Sequence, residues 1–325
     1  MKLSPSLMLR LATAVLLSIN GMSMAQPADY PNRPVNVIVA FPPGAPNDFI
    51  VRLIAEPFSK AMNQPLVADN RAGAGGNLAA ELVSRAPADG YTLLATIDTV
   101  VSVNTHLYKK LSFKADADLR PVIYLANTAQ TLVCNPAVPV KTVAEFIAYA
   151  KAHDLHYASG GQGTPGHLSA ELFIAATGVK MNHVPYKGPS PAAQDVMGGQ
   201  VPCAFLATTV VMPLVKGGKL NALGVTSTKR VSSAPDVPTI SEAGVPGYEA
   251  SFGEMLLVPK STPDGIVNRL NETIGKLLQL PDVRDRMSAA DLEFTPNSPT
   301  QASARVTRER QKWTAIIDKL GLQLD

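Results

Sequence analysis

Two copies of one local pattern constrain what this 325-residue chain can fold into. In each copy an apolar run ends in a turn rich in glycine and proline, and an amphipathic segment follows; the copies span Val35–Asp48 and His156–His167. The pattern is typical of a buried strand, a tight loop and a helix N-terminus. The loop amides and the positive end of the helix dipole then face the space beyond the strand. Two such loops predict one small acidic ligand held between two lobes.

The spacing of apolar residues predicts two α/β units. In the first unit, strands are predicted at Val35–Phe41, Pro65–Asp69 and Tyr91–Thr96, with a helix after each of the first two. This order predicts a parallel sheet with right-handed crossovers. In the second unit, strands are predicted at Leu155–Ser159, Val179–Pro185, Val201–Leu206 and Leu220–Ser227.

The chain is predicted to cross between the two units twice. The polar pair Asn127 and Thr128 predicts a break between two strands, which we interpret as the first crossing. A segment rich in proline and glycine precedes Ser251–Val258, a predicted strand that rejoins the first unit. Lobe 1 is therefore expected to contain residues 26–126 and 249–325, and lobe 2 residues 127–248. Two crossings form a hinge, and a hinge gives a cleft that closes on a ligand.

Residues 1–25 predict a signal peptide. Lys2 and Arg10 form a basic start, and the apolar segment Leu11–Ile19 is too short to span a bilayer. Small residues before Gln26 predict cleavage after Ala25. The alternative, an uncleaved anchor, is disfavoured by the short apolar run. We expect a soluble mature protein in the periplasm.

Charge and cysteine usage exclude several classes of protein. Removal of residues 1–25 lowers the formal net charge from +3 to +1, and there is no block of lysine and arginine, so nucleic acid is not an expected partner. Cys134 and Cys203 lie in apolar runs, and no spacing predicts a metal site. Two buried thiols are favoured over a disulfide, which an exported protein forms only if the two Cα atoms lie close together.

The strongest competing motif is Gly161–Gly166, which matches the G-x-G-x-x-G pattern of dinucleotide-binding proteins. An NAD(P)-dependent oxidoreductase is therefore the alternative function. The match lies in the middle of the chain, and no acid that could bind the ribose follows about 20 residues later, where the chain reads Val184–Gly188. The hydroxyls of Ser159 and Thr164, with the amides at the helix start, suit a carboxylate equally well.

No catalytic constellation is evident in the sequence. There is no Gly-x-Ser-x-Gly motif, and the five histidines are scattered. His167 is expected to fix its loop by a side-chain hydrogen bond rather than act as a base. Asp48 is placed to cap the first helix, and Asp98 is predicted either to face the cleft or to cap the helix after it. The sequence therefore predicts a binding protein without a cofactor, rather than an enzyme.

Eight motifs, in combination, carry a family resemblance that extends from Tyr30 to the C-terminus. They are Tyr30–Pro34, Phe41–Gly44 with Asp48, Asn70–Gly76, Pro87–Leu94, Gly163–Leu168, His183–Gly188, Gly198–Val201 and Val237–Ile240. With them the chain resembles the Bug (Bordetella uptake gene) family, the periplasmic solute-binding proteins of tripartite tricarboxylate transporters. The resemblance implies a two-lobed periplasmic-binding-protein fold of the Venus flytrap, type II-like kind, and a small carboxylate as ligand. It implies a membrane permease or a sensor kinase as partner; a sensor without a transport role stays open. We expect a monomer.

The resemblance also implies how the ligand is held. Family members bind a carboxylate through backbone amides, hydroxyls and ordered waters of two loops, which map to Phe41–Asp48 and Ser159–His167. The expected ligand-binding residues are Phe41, Gly44, Ala45, Asn47, Asp48, Ser159, Gly160, Gly161, Gly163, Thr164, His167, Tyr186 and Leu206.

The sequence departs from the family pattern at two places. The first loop reads Pro43-Gly44-Ala45-Pro46 where Pro-Gly-Gly is usual; alanine resists a positive φ, and proline lacks an N–H donor. Leu206 stands where relatives often carry an acid that could pair with a ligand ammonium. We therefore hypothesise a carboxylate without an amino group, with aromatic contacts from Phe41 and Tyr186 if the acid is aromatic.

Overall fold

The computed structural model describes residues 30–324, so the predicted signal peptide and its cleavage after Ala25 lie outside the described residues. Within that range the strands are β1 (Val35–Val39), β2 (Leu66–Asn70), β3 (Thr92–Ile97), β4 (Leu119–Cys134), β5 (Leu155–Ser159), β6 (Met181–Pro185), β7 (Cys203–Ala207), β8 (Asn221–Val225) and β9 (Ser251–Pro259). These nine strands form one hydrogen-bonded sheet, in which eight follow the order β2-β1-β3-β9-β4-β7-β5-β6 and β8 pairs with β4 beside this path.

Helices cover both faces of this sheet system. The helices of the first lobe and of the C-terminal region are α1 (Pro46–Met62), α2 (Asn77–Ser84), α3 (Thr99–Ser102), α4 (Asn104–Leu107), α5 (Ala115–Asp118), α10 (Asp264–Leu277), α11 (Pro281–Ala289) and α12 (Pro299–Leu320). Those of the second lobe are α6 (Val143–Ala152), α7 (Pro165–Thr177), α8 (Pro189–Met197) and α9 (Thr208–Lys216). A short 3₁₀ helix, Ala74–Gly76, precedes α2.

The first lobe is built on the parallel strands β1, β2 and β3. Val39, near the carboxyl end of β1, lies opposite Asn70 of β2 and Ala95 of β3, as the predicted parallel order requires. Strand β9, from late in the chain, joins the same sheet antiparallel to β3. Apolar side chains of the sheet pack against α1 and α10, with Phe58 and Leu270 fully buried.

The predicted break at Asn127 and Thr128 is wrong, because β4 runs without interruption through both positions. The two residues pair with Gly253 and Phe252 of β9, and Thr128 is buried. The Asn127 amide donates to a backbone carbonyl at residue 293 (3.0 Å), so a polar residue here is satisfied without ending the strand.

The second lobe begins where β4 changes partners. Residues up to Ala129 pair with β9, and residues from Gln130 onward pair with β7 and β8. Strand β5 is parallel to both β6 and β7, as expected for an α/β unit. The exact lobe limits, 126 and 248, stay a prediction.

A disulfide joins two strands of the second lobe. Cys134 of β4 and Cys203 of β7 occupy facing positions with a Cα–Cα distance of 4.0 Å, and their sulfurs are bonded. The expectation of two buried thiols was therefore wrong. The sequence shows that both cysteines lie in apolar strands but not that antiparallel pairing places them opposite each other.

Thr226 connects the two segments that cross between the lobes. Its hydroxyl donates to the carbonyl of Ala250 (2.7 Å) and accepts from the amide of Gln130 (2.9 Å). Its backbone amide donates to Gln130 O (2.9 Å), and its carbonyl accepts from the Ala250 amide (2.9 Å). One residue thus holds both crossings together at the hinge.

The terminal helix α12 packs along the hinge. It begins with a capping box made by Ser298 and Gln301, and Pro299 occupies its first turn. Trp313 is 1% exposed, stacks on Phe252 of β9 and belongs to a cluster that includes Leu168 of the second lobe. Within residues 30–324, no helix has the length and apolar character that crossing a membrane requires.

Candidate ligand-binding site

The first predicted loop leads from β1 into α1, and side-chain hydrogen bonds hold its shape without an N-cap hydrogen bond to the helix. Helix α1 begins at Pro46, so Asp48 is its third residue, and the prediction that Asp48 caps the helix is wrong. Its carboxylate accepts instead from the Gly44 amide (2.9 Å), from Asn70 Nδ2 (2.9 Å) and from Arg52 Nε (2.9 Å). Asp48 therefore fixes the shape of the loop, and its oxygens are already occupied.

The unusual residues of this loop fit without strain. Gly44 takes the positive φ of +83°, whereas Ala45 has an extended conformation with φ −68°. Pro46 occupies the first turn of α1, where a backbone N–H has no partner within the helix in any case. Asn47, the second residue of α1, lines the space between the lobes, and its side chain is held in place where Oδ1 accepts from the Asp48 amide (2.9 Å) and Nδ2 donates to Ala95 O (3.4 Å).

The second predicted loop leads from β5 into α7 and is held by its own hydroxyls and by His167. Ser159 Oγ donates to Gly161 O (3.1 Å), and Thr164 Oγ1 donates to the same oxygen (2.7 Å). The Gly163 amide donates to His167 Nδ1 (3.2 Å), the loop-fixing hydrogen bond expected from this histidine. The Ser159 and Thr164 hydroxyls thus donate their hydrogen bonds within the loop.

A histidine stack supports the second loop from behind. The rings of His167 and His183 lie 4.4 Å apart, and His183 Nε2 lies 2.6 Å from Ser159 Oγ. Burial lowers the pKa of His167 to about 4, and burial together with His167 lowers the pKa of His183 to about 3. Both rings are therefore neutral near pH 7, so they order the loop without adding positive charge.

Close packing sets the position of α7. A Cβ atom on Gly166 would lie 2.2 Å from the carbonyl oxygen of Phe205 on β7. Only glycine allows this approach, which presses the first turn of α7 against the end of β7. The two loops thereby face each other across the gap between the lobes.

A small cavity lies between these loops. It is bounded by the first turns of α1 and α7, one from each lobe, and by the carboxyl ends of β3 and β7, the arrangement in which open α/β sheets bind ligands. The lobes touch beside it, where Tyr108 donates from its hydroxyl to Gln162 O (3.0 Å). The lining residues are Phe41, Ala45, Pro46, Asn47, Ile97, Gln130, Gly160, Thr164, Pro165, Gly166, Pro189, Leu206, Ala207 and Glu254.

The structure brings some of the expected site residues to the cavity wall and places others behind it. Those that line the cavity are Phe41, Ala45, Asn47, Gly160, Thr164 and Leu206. Those outside the lining are Gly44, Asp48, Ser159, Gly161, Gly163, His167 and Tyr186. The hydroxyl of Tyr186 donates to Asp195 Oδ2 (2.7 Å), and its backbone amide donates to Ser159 O (3.1 Å), so Tyr186 braces the second loop.

The sequence reading missed Glu254, an acid in the cavity wall. It lies on β9 opposite Ile97 and Ala126, is 1% exposed, and neither carboxyl oxygen has a hydrogen-bond partner among the described residues. Burial, and then the nearby Asp98 carboxyl, raise the pKa of Glu254 well above its ordinary value. One signal was available in the sequence: a single acid inside the otherwise apolar strand Phe252–Val258.

Asp98 was expected either to face the cleft or to cap the helix after it, and it does neither. Its carboxylate makes no cap hydrogen bond to α3, and it lies outside the cavity lining. Its Oδ2 instead accepts from the Gly253 amide (2.9 Å), next to Tyr124. Burial raises the pKa of Asp98 to about 7.

The acid in the wall also changes the premise of the ligand hypothesis. Leu206 does line the cavity, as expected, but the argument for a ligand without an amino group required the cavity to lack an acid. Glu254 supplies an acid to the cavity wall from β9 of the other lobe, although position 206 itself is a leucine. Among the described residues, no group of three or more His, Cys, Asp or Glu side chains is placed to hold a metal ion.

The two lobes, the hinge and the cavity between helix N-termini define a two-lobed solute-binding protein. The sequence profile described as "Tripartite tricarboxylate transporter family receptor" (TctC) matches residues 50–322, and the chain belongs to this family. The resemblance to the Bug proteins is confirmed: BugT of Bordetella pertussis is 32% identical over 314 residues, which cover 95% of this chain and 96% of BugT.

Solved structures agree with this assignment. Rpa4515 of R. palustris, determined with adipate, is 34% identical and superposes with a TM-score of 0.88 over 91% of this chain and 99% of that chain. MatC of Rhodopseudomonas palustris, with bound malate, is 32% identical and gives a TM-score of 0.84 over 89% of this chain and 100% of that chain. The predicted two-lobed α/β fold is thereby confirmed.

Proposed function

We propose that this protein is a periplasmic receptor that captures a small carboxylate between its lobes for a tripartite transporter. The observation that carries the proposal is the cavity at the hinge, where the first turns of α1 and α7 approach each other from opposite lobes. Helix N-termini bind anions because their first amides lack partners and the helix dipole is positive there. The bound adipate of Rpa4515 and the malate of MatC support the same class of ligand.

Different lining residues bind the carboxylate and the carbon skeleton of the ligand. The backbone amides of the first turns of α1 and α7, together with the side-chain amide of Asn47, contact the carboxylate, directly or through ordered waters, and Gly160 lets the backbone approach closely. Phe41, Ala45 and Leu206 supply apolar contact to the carbon skeleton. The remaining expected residues hold the two loops in shape: Gly44, Asp48, Ser159, Gly161, Gly163, His167 and Tyr186.

Binding is coupled to membrane partners through the closed state. The ligand contacts both lobes, so it binds the closed arrangement more tightly and shifts the population toward it. A permease, or a sensor kinase, then recognises the surface that only the closed monomer presents. We expect export with cleavage after Ala25, and the family description, a transporter receptor, supports a binding role rather than an enzymatic one.

The dinucleotide alternative gains no support from the geometry. The loop that contains Gly161–Gly166 packs against the first lobe and against β7, and Tyr186 and Lys187 follow β6 where a ribose-binding acid is needed. We therefore retain NAD(P) only as a negative control in the experiment.

A thermal-shift screen of refolded mature protein tests the proposal, because refolding removes ligand carried over from the cell. The panel contains mono-, di- and tricarboxylates, aromatic acids and NAD(P). A true ligand at a hundred times its dissociation constant adds about 2.7 kcal/mol of stability. We expect a shift with carboxylates and none with NAD(P); the opposite pattern, or no shift with any acid, overturns the proposal.

A matched pair of variants then locates the site. N47D adds a negative charge to the cavity wall without changing side-chain size, and N36D makes the same change on the exposed face of β1. Like charges at close range in a poorly hydrated site repel strongly. We expect N47D to weaken carboxylate binding by about tenfold or more and N36D to leave it unchanged. Equal affinities of the two variants would place the ligand elsewhere.

A further inference from the structure

Glu254 is the one ionisable side chain among the described residues that line the cavity. Such a group is costly to bury: an acid at 1% exposure without a hydrogen bond loses its hydration and gains nothing in return. Buried, unpartnered acids in a cleft are therefore candidates for contact with a ligand.

The cavity has two opposite electrostatic poles. The first turns of α1 and α7 present partial positive charge, whereas Glu254 presents an acid from β9. The amides and the acid line the same space, yet none of these amides donates to Glu254, whose two oxygens stay unpartnered in the described residues. The two poles are therefore available to two different groups of one bound molecule.

The surroundings of Glu254 favour a positively charged partner. Its nearest acidic neighbour is Asp98, which adds negative potential, and no lysine, arginine or histidine lines the cavity. A hydrogen-bond donor alone could be provided by glutamine at every pH, so the acid is best explained by a partner that carries charge. The ring of Phe41 lines the same cavity, and aromatic faces attract cations.

We infer that the ligand is a zwitterion, an amino acid or a related amino-carboxylate, whose ammonium group pairs with Glu254 while its carboxylate binds the helix N-termini. This inference rests on the proposed function and narrows its substrate class. It replaces the hypothesis of a ligand without an amino group. In the absence of a ligand cation, the raised pKa of Glu254 lets the side chain take a proton instead, so the closed cavity never holds an unpaired charge.

Paired ligands test the inference on the wild-type protein. The probes are L-glutamate with glutarate, L-aspartate with succinate, and L-phenylalanine with 3-phenylpropionate, which share a skeleton and differ in the amino group. We expect the amino member of the binding pair to bind about tenfold or more tightly in calorimetry, because hydrogen bonds to charged groups are strong. Tighter binding of the unaminated member overturns the inference.

Two variants connect the preference to Glu254. E254Q keeps the shape and removes the charge, and we expect it to abolish the preference for the amino member. The control E249Q changes an acid just before β9 that pairs with Lys312 (2.8 Å) outside the cavity, and the preference should persist. If E254Q keeps the wild-type preference, another group binds the ammonium and the inference fails.

Proton linkage provides a readout that does not depend on any variant. If Glu254 is protonated in the unliganded cavity and ionised beside the ligand ammonium, binding releases a proton, so calorimetry at pH 7 gives binding enthalpies that change with the ionisation enthalpy of the buffer in the direction of proton release. Uptake of a proton on binding shows that Glu254 donates a hydrogen bond to a ligand carboxylate, and this overturns the inference. Binding by unaminated acids alone also overturns it but leaves the proposed function standing, whereas no binding by the three pairs or by any acid of the thermal-shift panel contradicts both.

Discussion

The disulfide of the second lobe gives a quantitative prediction about stability. Reduction of the bond between Cys134 and Cys203 releases a loop whose ends are 69 residues apart in sequence. In the chain-entropy treatment, closing a loop of this length lowers the entropy of the unfolded chain enough to stabilise the native state by about 4 kcal/mol. Cys134 and Cys203 are buried on two strands, β4 and β7, that remain hydrogen-bonded to each other after reduction, so we expect the folded state to lose little besides the S–S bond.

This free energy translates into a measurable change in melting temperature. Globular proteins gain roughly 2.1 cal/mol/K of unfolding entropy per residue, or about 0.6 kcal/mol/K for a mature chain of about 300 residues. A loss of about 4 kcal/mol therefore lowers the melting temperature by about 7 °C. Urea denaturation should show the same loss as a lower midpoint with a similar slope.

The assay compares the native protein with and without a strong reductant, after mass spectrometry has confirmed that the bond is intact or broken. The double variant C134A/C203A is the control, because a reductant must leave its stability unchanged. Two free thiols in protein purified from the periplasm would show that the bond does not form. Equal stability of the oxidised and reduced forms would refute the loop-entropy reasoning.

Three further predictions concern packing, the hinge and pH. G166A, whose Cβ would lie 2.2 Å from a carbonyl oxygen of β7, should lose about 2 kcal/mol of stability or more in urea denaturation. G275A in α10, whose Cβ would make only an ordinary contact of 3.7 Å with Ile123, should lose none, and equal effects would contradict the packing argument. T226V should lose about 1–3 kcal/mol of stability, because valine leaves the Gln130 amide and the Ala250 carbonyl without the hydroxyl that bonds them. T226S keeps the hydroxyl and should retain most of the wild-type stability. A T226V variant as stable as T226S would show that the hydroxyl contributes nothing. His167 and His183 have folded pKa values of about 4 and about 3, below the unfolded value, so their contribution to stability is constant above about pH 7 and falls as pH drops through 6.5, by up to about 1.4 kcal/mol per pH unit for each ring. The buried acids Asp98 and Glu254, whose folded pKa values are raised, contribute in the opposite direction. Denaturation curves at pH 7.5 and 5.0 measure this slope, and a slope that is unchanged in H167Q would contradict the assignment.

Much of the fold could be predicted because local pattern and tertiary role agree. The apolar run that begins at Val35 indicated a strand, although burial along β1 alternates, with Asn36 exposed, where both faces were expected to be buried. The apolar run at Ser251–Val258 indicated the strand β9, which pairs with β3 of the first sheet. The continuity of β4 could not be predicted from its own residues. Asn127 looks like a loop residue until its partners, a carbonyl at residue 293 and the Arg305 guanidinium, are brought to it by the far end of the chain.

The site was predicted only in outline for a similar reason. The turns after β1 and β5 can be recognised in the sequence by their glycine and proline residues, and the structure brings both turns to one cavity. Which side chains face that cavity depends on strand register and on contacts between distant segments. Asp48 is turned to Asn70 and Arg52, and Glu254 is turned inward by the register of β9, so neither placement can be derived from the residues next to them.

The position of Trp313 gives the protein a built-in optical reporter. It is the only tryptophan in the 325 residues, it lies on α12 against Phe252 of β9, and it shares a cluster with Leu168 of the second lobe. Any rotation of one lobe against the other changes the packing around this indole ring, and indole emission responds to polarity and to contact with neighbours. Intrinsic fluorescence, recorded without a label, therefore follows the domain motion in real time and yields its rate constants by stopped flow.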